Sequence, residues 1–506
     1  MANLRSPVSD DRIPVIVGIG EIVDRPKEIA EGLEPLTLLE QALKRAEQDS
    51  GARLLGEIGS LDVVNFLSWR YRDPEMALSR RLGIAPKHAY YGPVGGESPI
   101  RYLHEAAQRI ARGECSVAAV CGAEAQSTAT KAERAGIELP WTPFAHDVPE
   151  PKRGAAFQKP MAVTLGVFRP VTVYPFYEAA SAAHWGQTPR QARAESGELW
   201  SRYSEVAAQN PNAWLKRRFT PEEITTPTPD NRLIAWPYTK LQVANPMVNM
   251  GAAILMTSLA KARAAGIPED RLIHVWGGAS AEEPRDYLVR DQFFQSHPQN
   301  AVLKAVMDLA GGDGRAFDAI ELYSCFPCVP KMARRTLGLG GDMQPTVTGG
   351  LTFFGAPLNT YMTHAACAMV RKLRGGAKLG LLYGQGGFVT KHHGLVLSRQ
   401  APAAPLSQDT SVQAEADRQR GAVPDFVTEA SGKGSVESFT VLYGRGGEAE
   451  HGVVMLRTKE NARALARVPA HDADTLAHLE NMDRTPVGTT GHIITADDGV
   501  LEWRVG

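Results

Sequence analysis

The chain has 506 residues, with 55 Lys+Arg against 56 Asp+Glu and a net charge of −1. That balance excludes a general field for nucleic acid or an anionic membrane. Five cysteines are too few for a disulfide framework, and no apolar run reaches the ~18 residues of a membrane span. The start, residues 1–12, is polar and acidic with no apolar signal region behind it. The expectation is a cytoplasmic protein without nucleic-acid or membrane partners, long enough for two or three domains.

Residues 13–19 read as a first strand, apolar on both faces as in a covered sheet. A helix is expected over residues 36–48, with Leu36, Leu39, Ala42, Leu43 and Ala46 on one face. Residues 61–67 read as the next buried strand, and this order predicts a parallel α/β sheet. A near-repeat then organises the chain. The first copy runs from Gly95-Gly96 through a helix to Arg112-Gly113 and an apolar strand ending at Gly122. The second runs from Gly355 through a helix to Arg374-Gly375 and a strand ending at Gly384. Each copy has Pro near the helix start, a basic helix end and a Gly stop, the asymmetry that helix capping requires. Residues 271–276 would open the second half.

Between the halves, residues 126–237 carry many prolines and Trp141, Trp185, Trp200, Trp214 and Trp236. So many aromatics need burial, so the stretch predicts a folded insertion, of the kind that covers an active site, and not a linker. Past Pro402 and Pro405 the pattern turns β-like. Residues 438–443 and 452–456, around a Gly-rich turn, form an expected hairpin in a small barrel of about one hundred residues. The expected units are 1–265 with the insertion at about 126–237, then 266–400, then 401–506.

Four segments, residues 95–124, 244–253, 321–328 and 349–391, jointly make the chain resemble the thiolase superfamily. The similarity is greatest to its thiolase-like type 1 branch, acetyl-CoA acetyltransferase-like chains with an additional C-terminal domain. The resemblance spans residues 12–398, with the tail matching the extra domain. It implies a duplicated α/β thiolase fold in five layers (αβαβα), an inserted loop domain and a C-terminal OB-like β-barrel. It also implies coenzyme A or an acyl-CoA as ligand and a place in lipid metabolism. A homodimer or a barrel-mediated protein partner would fit the family.

A thiolase uses a cysteine nucleophile, a Gly-His-Pro histidine, a second cysteine in Cys-x-Gly, and an oxyanion residue. Matched to those motifs, the nucleophile falls on Gly96, the histidine on Ala356 in Gly355-Ala356-Pro357, and the second cysteine on Leu382 in Leu382-Tyr383-Gly384. The oxyanion motif reads Tyr323-Ser324-Cys325-Phe326. Glycine, alanine and leucine cannot act as nucleophile, base or acid, so the resemblance implies no ordinary thiolysis or Claisen condensation.

Three replacements are candidates. Tyr323 is either a packed tyrosine or a donor to a carbonyl oxygen. Cys325, in Cys325-Phe-Pro-Cys328, is either a buried thiol or a reactive one; without a second Cys or His pair the motif predicts no metal site. His392, in Lys391-His392-His393 after the Gly384–Gly387 turn, is either a packing residue or a base near neutral pH. The turn lacks both the Walker and the dinucleotide fingerprints. Three functions follow: an acyl-CoA-binding protein with an altered acyltransferase site, a retro-aldolase on a β-hydroxyacyl-CoA of steroid side-chain type working through Tyr323, or a non-catalytic scaffold.

Overall fold

The computed structural model describes residues 9–506; the expectation for the polar start lies largely in residues 1–8, outside the described residues. The first half supplies strands β1 (Pro14–Val23), β2 (Ser60–Val63), β3 (His88–Tyr91) and β4 (Val117–Ala125). The insertion carries two short strands, β5 (Leu233–Ala235) and β6 (Tyr238–Thr239), before β7 (Asn249–Ser258) completes the half. The second half holds β8 (Ile273–Glu282), β9 (Ala319–Leu322), β10 (Leu379–Gly386) and β11 (Lys391–Ser398). The tail contributes β12 (Gly432–Tyr443), β13 (Ala449–Thr458), β14 (Arg463–Pro469), β15 (Thr490–Thr495) and β16 (Leu501–Val505).

The duplication is visible in strand order. One sheet runs β3-β2-β4-β7-β1-β8-β11-β10-β9, and its two arms mirror each other about the β1–β8 junction. In the first arm β1 and β4 flank β7 antiparallel, and β2 lies parallel to β4. In the second, β8 and β10 flank β11 antiparallel, and β9 lies parallel to β10. The repeated helices, Ser98–Arg112 and Tyr361–Arg374, lie between the arms and touch strands of both. Helix Pro35–Ser50 covers β1 and β7 from outside, and helix His297–Leu309 covers β8 and β11. Helix, sheet, helix pair, sheet and helix make the five layers of a thiolase fold. The capping asymmetry does its part: Gly113 ends the first core helix at φ 74°, a conformation that glycine adopts without steric cost. Strand β2 stops at Val63, short of Leu67, because the chain there turns to receive Glu124 on the N–H groups of Leu67 and Ser68, each at 2.8 Å.

The tail strands close as β12-β13-β14-β16-β15 and back to β12, with helix Ala473–Leu479 between the third and fourth strands. This is an OB-like barrel around Phe439, Val454, Leu456 and Trp503. It begins at Gly432. Before it, Thr410 and Ser411 pair with Ser280 of β8, and Asp425 and Val427 exchange backbone hydrogen bonds with Arg463 of β14. The insertion also joins the barrel sheet through Leu442 opposite Ala235. Among the described residues no helix is long and apolar enough to cross a membrane, and all five cysteines are free thiols.

One buried cation fastens barrel to core. Arg463 is fully buried; it donates to the carbonyls of Leu288 (2.7 Å) and Arg290 (2.6 Å) and to Glu437 Oε1 and Oε2 (2.7 and 2.9 Å). Removing it strands these acceptors. Arg463→Met is expected to cost about 3 kcal/mol, read as a lower urea midpoint with the barrel's Trp503 fluorescence as probe; an unchanged midpoint would show that the barrel docks without this cation.

Candidate active site

The N-termini of the two core helices meet at one point. Asn359, just before the second, accepts a hydrogen bond from Gly95 N–H at 3.1 Å and donates to the Asn65 carbonyl at 3.1 Å. Around this junction lies a cavity of about 400 Å³. Gly95 and Gly96 line one side, Ala356 and Leu358 another, and Tyr323, Cys325 and Gln385 the floor. Leu358 in its wall has φ 44°, and Val389, which lies behind the lining and donates its N–H to Gln385 Oε1, has φ 58°. Non-glycine residues hold such values only where packing enforces them, often at functional sites. A π-turn, Gly350–Phe354, adds Leu351 to the lining.

Tyr323 follows β9 and is held by its own N–H on the Tyr383 carbonyl (3.0 Å). Its ring meets Tyr361 edge-on at 5.8 Å. The hydroxyl has no hydrogen-bond partner among the described residues, although the tyrosine is only 7% exposed and lines the cavity. Burial first, then the nearby Cys325 and Glu97, raise its pKa well above 10, so it is a neutral donor. A Cβ on Gly96 would collide with this hydroxyl and stand 2.7 Å from Tyr323 Cζ and 2.5 Å from the Gln385 carbonyl oxygen. The space that a side chain on Gly96 would need is therefore filled, and glycine is what lets Tyr323 fill it.

Cys325 also lines the cavity, but burial pushes its thiol up to about 12. At neutral pH it is a thiol with little nucleophilic thiolate. Gln385 Nε2 donates to its sulfur at 3.2 Å and to the Tyr174 hydroxyl at 2.7 Å, and Tyr174 donates on to the Gly387 carbonyl at 3.1 Å. Cys328 points away, toward the Tyr174 carbonyl. Among the described residues no three His, Cys, Asp or Glu side chains cluster to hold a metal.

The structure does not bring Leu382 or His392 to the cavity. Leu382 is fully buried along β10; the cavity meets that strand's end, at Gln385, Gly386 and Gly387. His392 lies inside β11, with Nδ1 on the Tyr383 hydroxyl (2.7 Å) and Nε2 near Ser296 and the Val389 carbonyl (both 3.2 Å). Burial drives its pKa down to about 3, so it stays neutral and packs. His393 likewise pairs with His104 in the core.

Sequence reasoning passed over Glu97. It sits at the N-terminal end of the first core helix with its side chain 5% exposed, and Lys391 Nζ lies 2.7 Å from Oε1. Lys391 is held in turn by the Val94 carbonyl (2.7 Å). Oε2 is buried without a partner, and a Cβ on Gly386 would collide with it. The carboxylate thus stands directly behind cavity-lining glycines. Its one sequence signal is an acid at a helix start, where acids are common.

Two larger spaces adjoin the cavity. A chamber of about 560 Å³ shares Leu67, Val94, Arg169, Pro170, Leu358 and Gly387 with it. A cleft of about 790 Å³ shares Ala244 and Pro246. The cleft has an apolar floor including Trp214, Phe219 and Met247, and its Arg217 and Lys240 are offset by Glu223 and Asp230.

Comparison with known proteins agrees with the fold. Residues 411–498 match the family model for the thiolase-like protein type 1 additional C-terminal domain. A search of curated proteins gives no match. Among solved structures, a monomeric SCP2-thiolase like protein type 1 from Mycobacterium smegmatis has a TM-score of 0.81 at 27% identity, covering 98% of this chain and 100% of that one. An Ltp2–ChsH2(DUF35) aldolase gives a TM-score of 0.59 at 19% identity, covering 77% and 98%. Acetyl-CoA acetyltransferase from Syntrophomonas wolfei gives 0.56 at 15%, covering 77% and 99%. These last two share the fold.

Proposed function

The chain belongs to the thiolase superfamily as a type 1 thiolase-like protein, and on that premise we propose that it binds an acyl thioester of the coenzyme A type in the inner cavity without performing thiolysis. The observation that carries this reading is the pairing of Gly96 with Tyr323: a free hydroxyl occupies the place that a side chain on Gly96 would need. With Cys325 held as a neutral thiol, the cavity offers a hydrogen-bond donor and no nucleophile. A neutral donor in a mostly apolar cavity is suited to a thioester carbonyl oxygen. The supporting measurement is calorimetric titration with CoA and a panel of acyl-CoAs that includes a steroid thioester. Dissociation constants near ~1 μM are expected. Failure of every CoA species to bind would sink the proposal and leave the third function, a scaffold whose barrel recruits a partner.

A second reading has its own support. Retro-aldol cleavage of a β-hydroxyacyl thioester needs no cysteine. The hydroxyl proton leaves, the Cα–Cβ bond breaks to give a carbonyl product, and the remaining thioester enolate is protonated at carbon. Tyr323 would donate to the enolate oxygen, and Glu97 Oε2, buried and unpartnered beside the glycine wall, would accept the proton. The fold shared with an enzyme described as an aldolase favours screening for this reaction.

A further inference from the structure

We infer that the outer chamber of about 560 Å³ is an anion subsite, which holds the negatively charged end of the thioester ligand. The inference rests on the thioester reading above and adds to it where the ligand's charge must lie. Lys152, Arg153, Arg169 and Arg285 all line this one space. None of the four makes a side-chain hydrogen bond or ion pair with a described residue. The acid among the lining residues, Glu150, is already engaged by Arg70 at 3.2 Å. Lys152, Arg153 and Arg169 are exposed and Arg285 is half-buried; solvent screens part of their mutual repulsion, and a bound anion offsets the rest. The chain as a whole carries a net charge of −1, so the cluster is local and does not reflect a basic protein.

The backbone adds to the field. Helix Pro170–His184 begins at the chamber, with Arg169 as its N-cap and no acid in its first turn. Pro170 has no N–H and those of Thr172 and Val173 donate to the Arg169 carbonyl, so the Val171 N–H and the helix dipole are what favour negative charge there. Arg285 is braced for the role. Its guanidinium lies over the Phe157 ring at 4.7 Å, and its carbonyl accepts from Gln158 Nε2 at 3.2 Å. The neighbouring cleft beyond Ala244 and Pro246 has balanced charges and offers no such field. A ligand whose thioester carbonyl sits at Tyr323 therefore has one strongly cationic direction to extend in, past Leu358 and Gly387.

Two parts of such a ligand carry the required chemistry: the phosphates of coenzyme A, or a carboxylate at the far end of the acyl group. The experiment compares wild type with Arg285→Met and with Lys152→Met/Arg169→Met, the latter pair at exposed positions that leave the packing alone. The probes are CoA, S-acetylpantetheine (which has no phosphate), butanoyl-CoA and glutaryl-CoA, titrated at low and high salt. If the phosphates sit here, both variants weaken CoA about tenfold in a salt-dependent way and leave S-acetylpantetheine unchanged. If an acyl carboxylate sits here, CoA and butanoyl-CoA are unchanged and glutaryl-CoA loses its advantage over butanoyl-CoA. Equal weakening of every probe, or no change in any, overturns the subsite. Should no thioester bind wild type, the thioester reading fails by itself. Titration of inorganic pyrophosphate into the same proteins then decides the subsite alone: loss of its binding in the variants upholds it, and equal or absent binding rejects it.

Discussion

Gly96→Cys is expected not to give thiolysis and to destabilise the protein by about 1–3 kcal/mol. On the sequence alone, a cysteine at the position matched to the thiolase nucleophile looks like a repair. In the structure the new Cβ runs into the Tyr323 hydroxyl and stands 2.5 Å from the Gln385 carbonyl. A tyrosine ring packed on Tyr361 and a β-strand end cannot both retreat without disturbing the core around them. The two obstacles are separable. Gly96→Cys/Tyr323→Ala removes the side-chain clash but keeps the backbone carbonyl and empties the ring's place on Tyr361, so it is expected not to regain wild-type stability. Urea denaturation of both variants, with an acetoacetyl-CoA thiolysis assay, checks this. Thiolase turnover in the single variant would mean that Tyr323 does not block a side chain at residue 96.

The parts of the architecture legible in sequence are those set by local chemistry. The core helices could be found because Pro near the start, Arg at the end and Gly beyond it are requirements of any helix terminus. The buried strands after them are nearly uniformly apolar. The site was legible only where it depended on those starts: Gly96, Ala356 and Tyr323 all lie at or beside a helix or strand end, and all line the cavity. What failed to read depended on register and distant pairing. Along β10 successive side chains point to opposite faces. Which of them meets the cavity depends on where the strand passes the first core helix, and that put Gln385 at the site and left Leu382 packed. Lys391, His392 and His393 read as turn residues. They are instead the start of β11, paired with Gly386, Gln385 and Gly384, so their side chains enter packed layers. The attachment of β5 to the barrel joins residues from distant parts of the chain, and nothing local announces it.

Tyr323→Phe is expected to abolish any retro-aldol turnover, by about 100-fold or more, while changing thioester affinity by only about 1 kcal/mol. The asymmetry follows from when the hydroxyl matters. In the bound ground state it gives one neutral hydrogen bond to a carbonyl that water would otherwise solvate. As the Cα–Cβ bond breaks, charge moves onto that same oxygen, and a donor already fixed in place is worth far more there. Phenylalanine keeps the ring on Tyr361 and removes one oxygen atom, so the cavity shape survives. The pH profile separates this role from general-base catalysis by the same residue. Burial holds the Tyr323 pKa well above 10. As a donor it stays protonated, and turnover shows no loss from its ionisation as pH rises through 9. As a base it would have to lose its proton, and turnover would climb with pH over that range. A screen of β-hydroxyacyl-CoAs on wild type, Tyr323→Phe and Glu97→Gln reads both. Loss in the first variant with a flat alkaline limb, and loss in the second, place the donor at Tyr323 and the proton acceptor at Glu97. Wild-type turnover that survives Tyr323→Phe would remove the hydroxyl from the chemistry altogether.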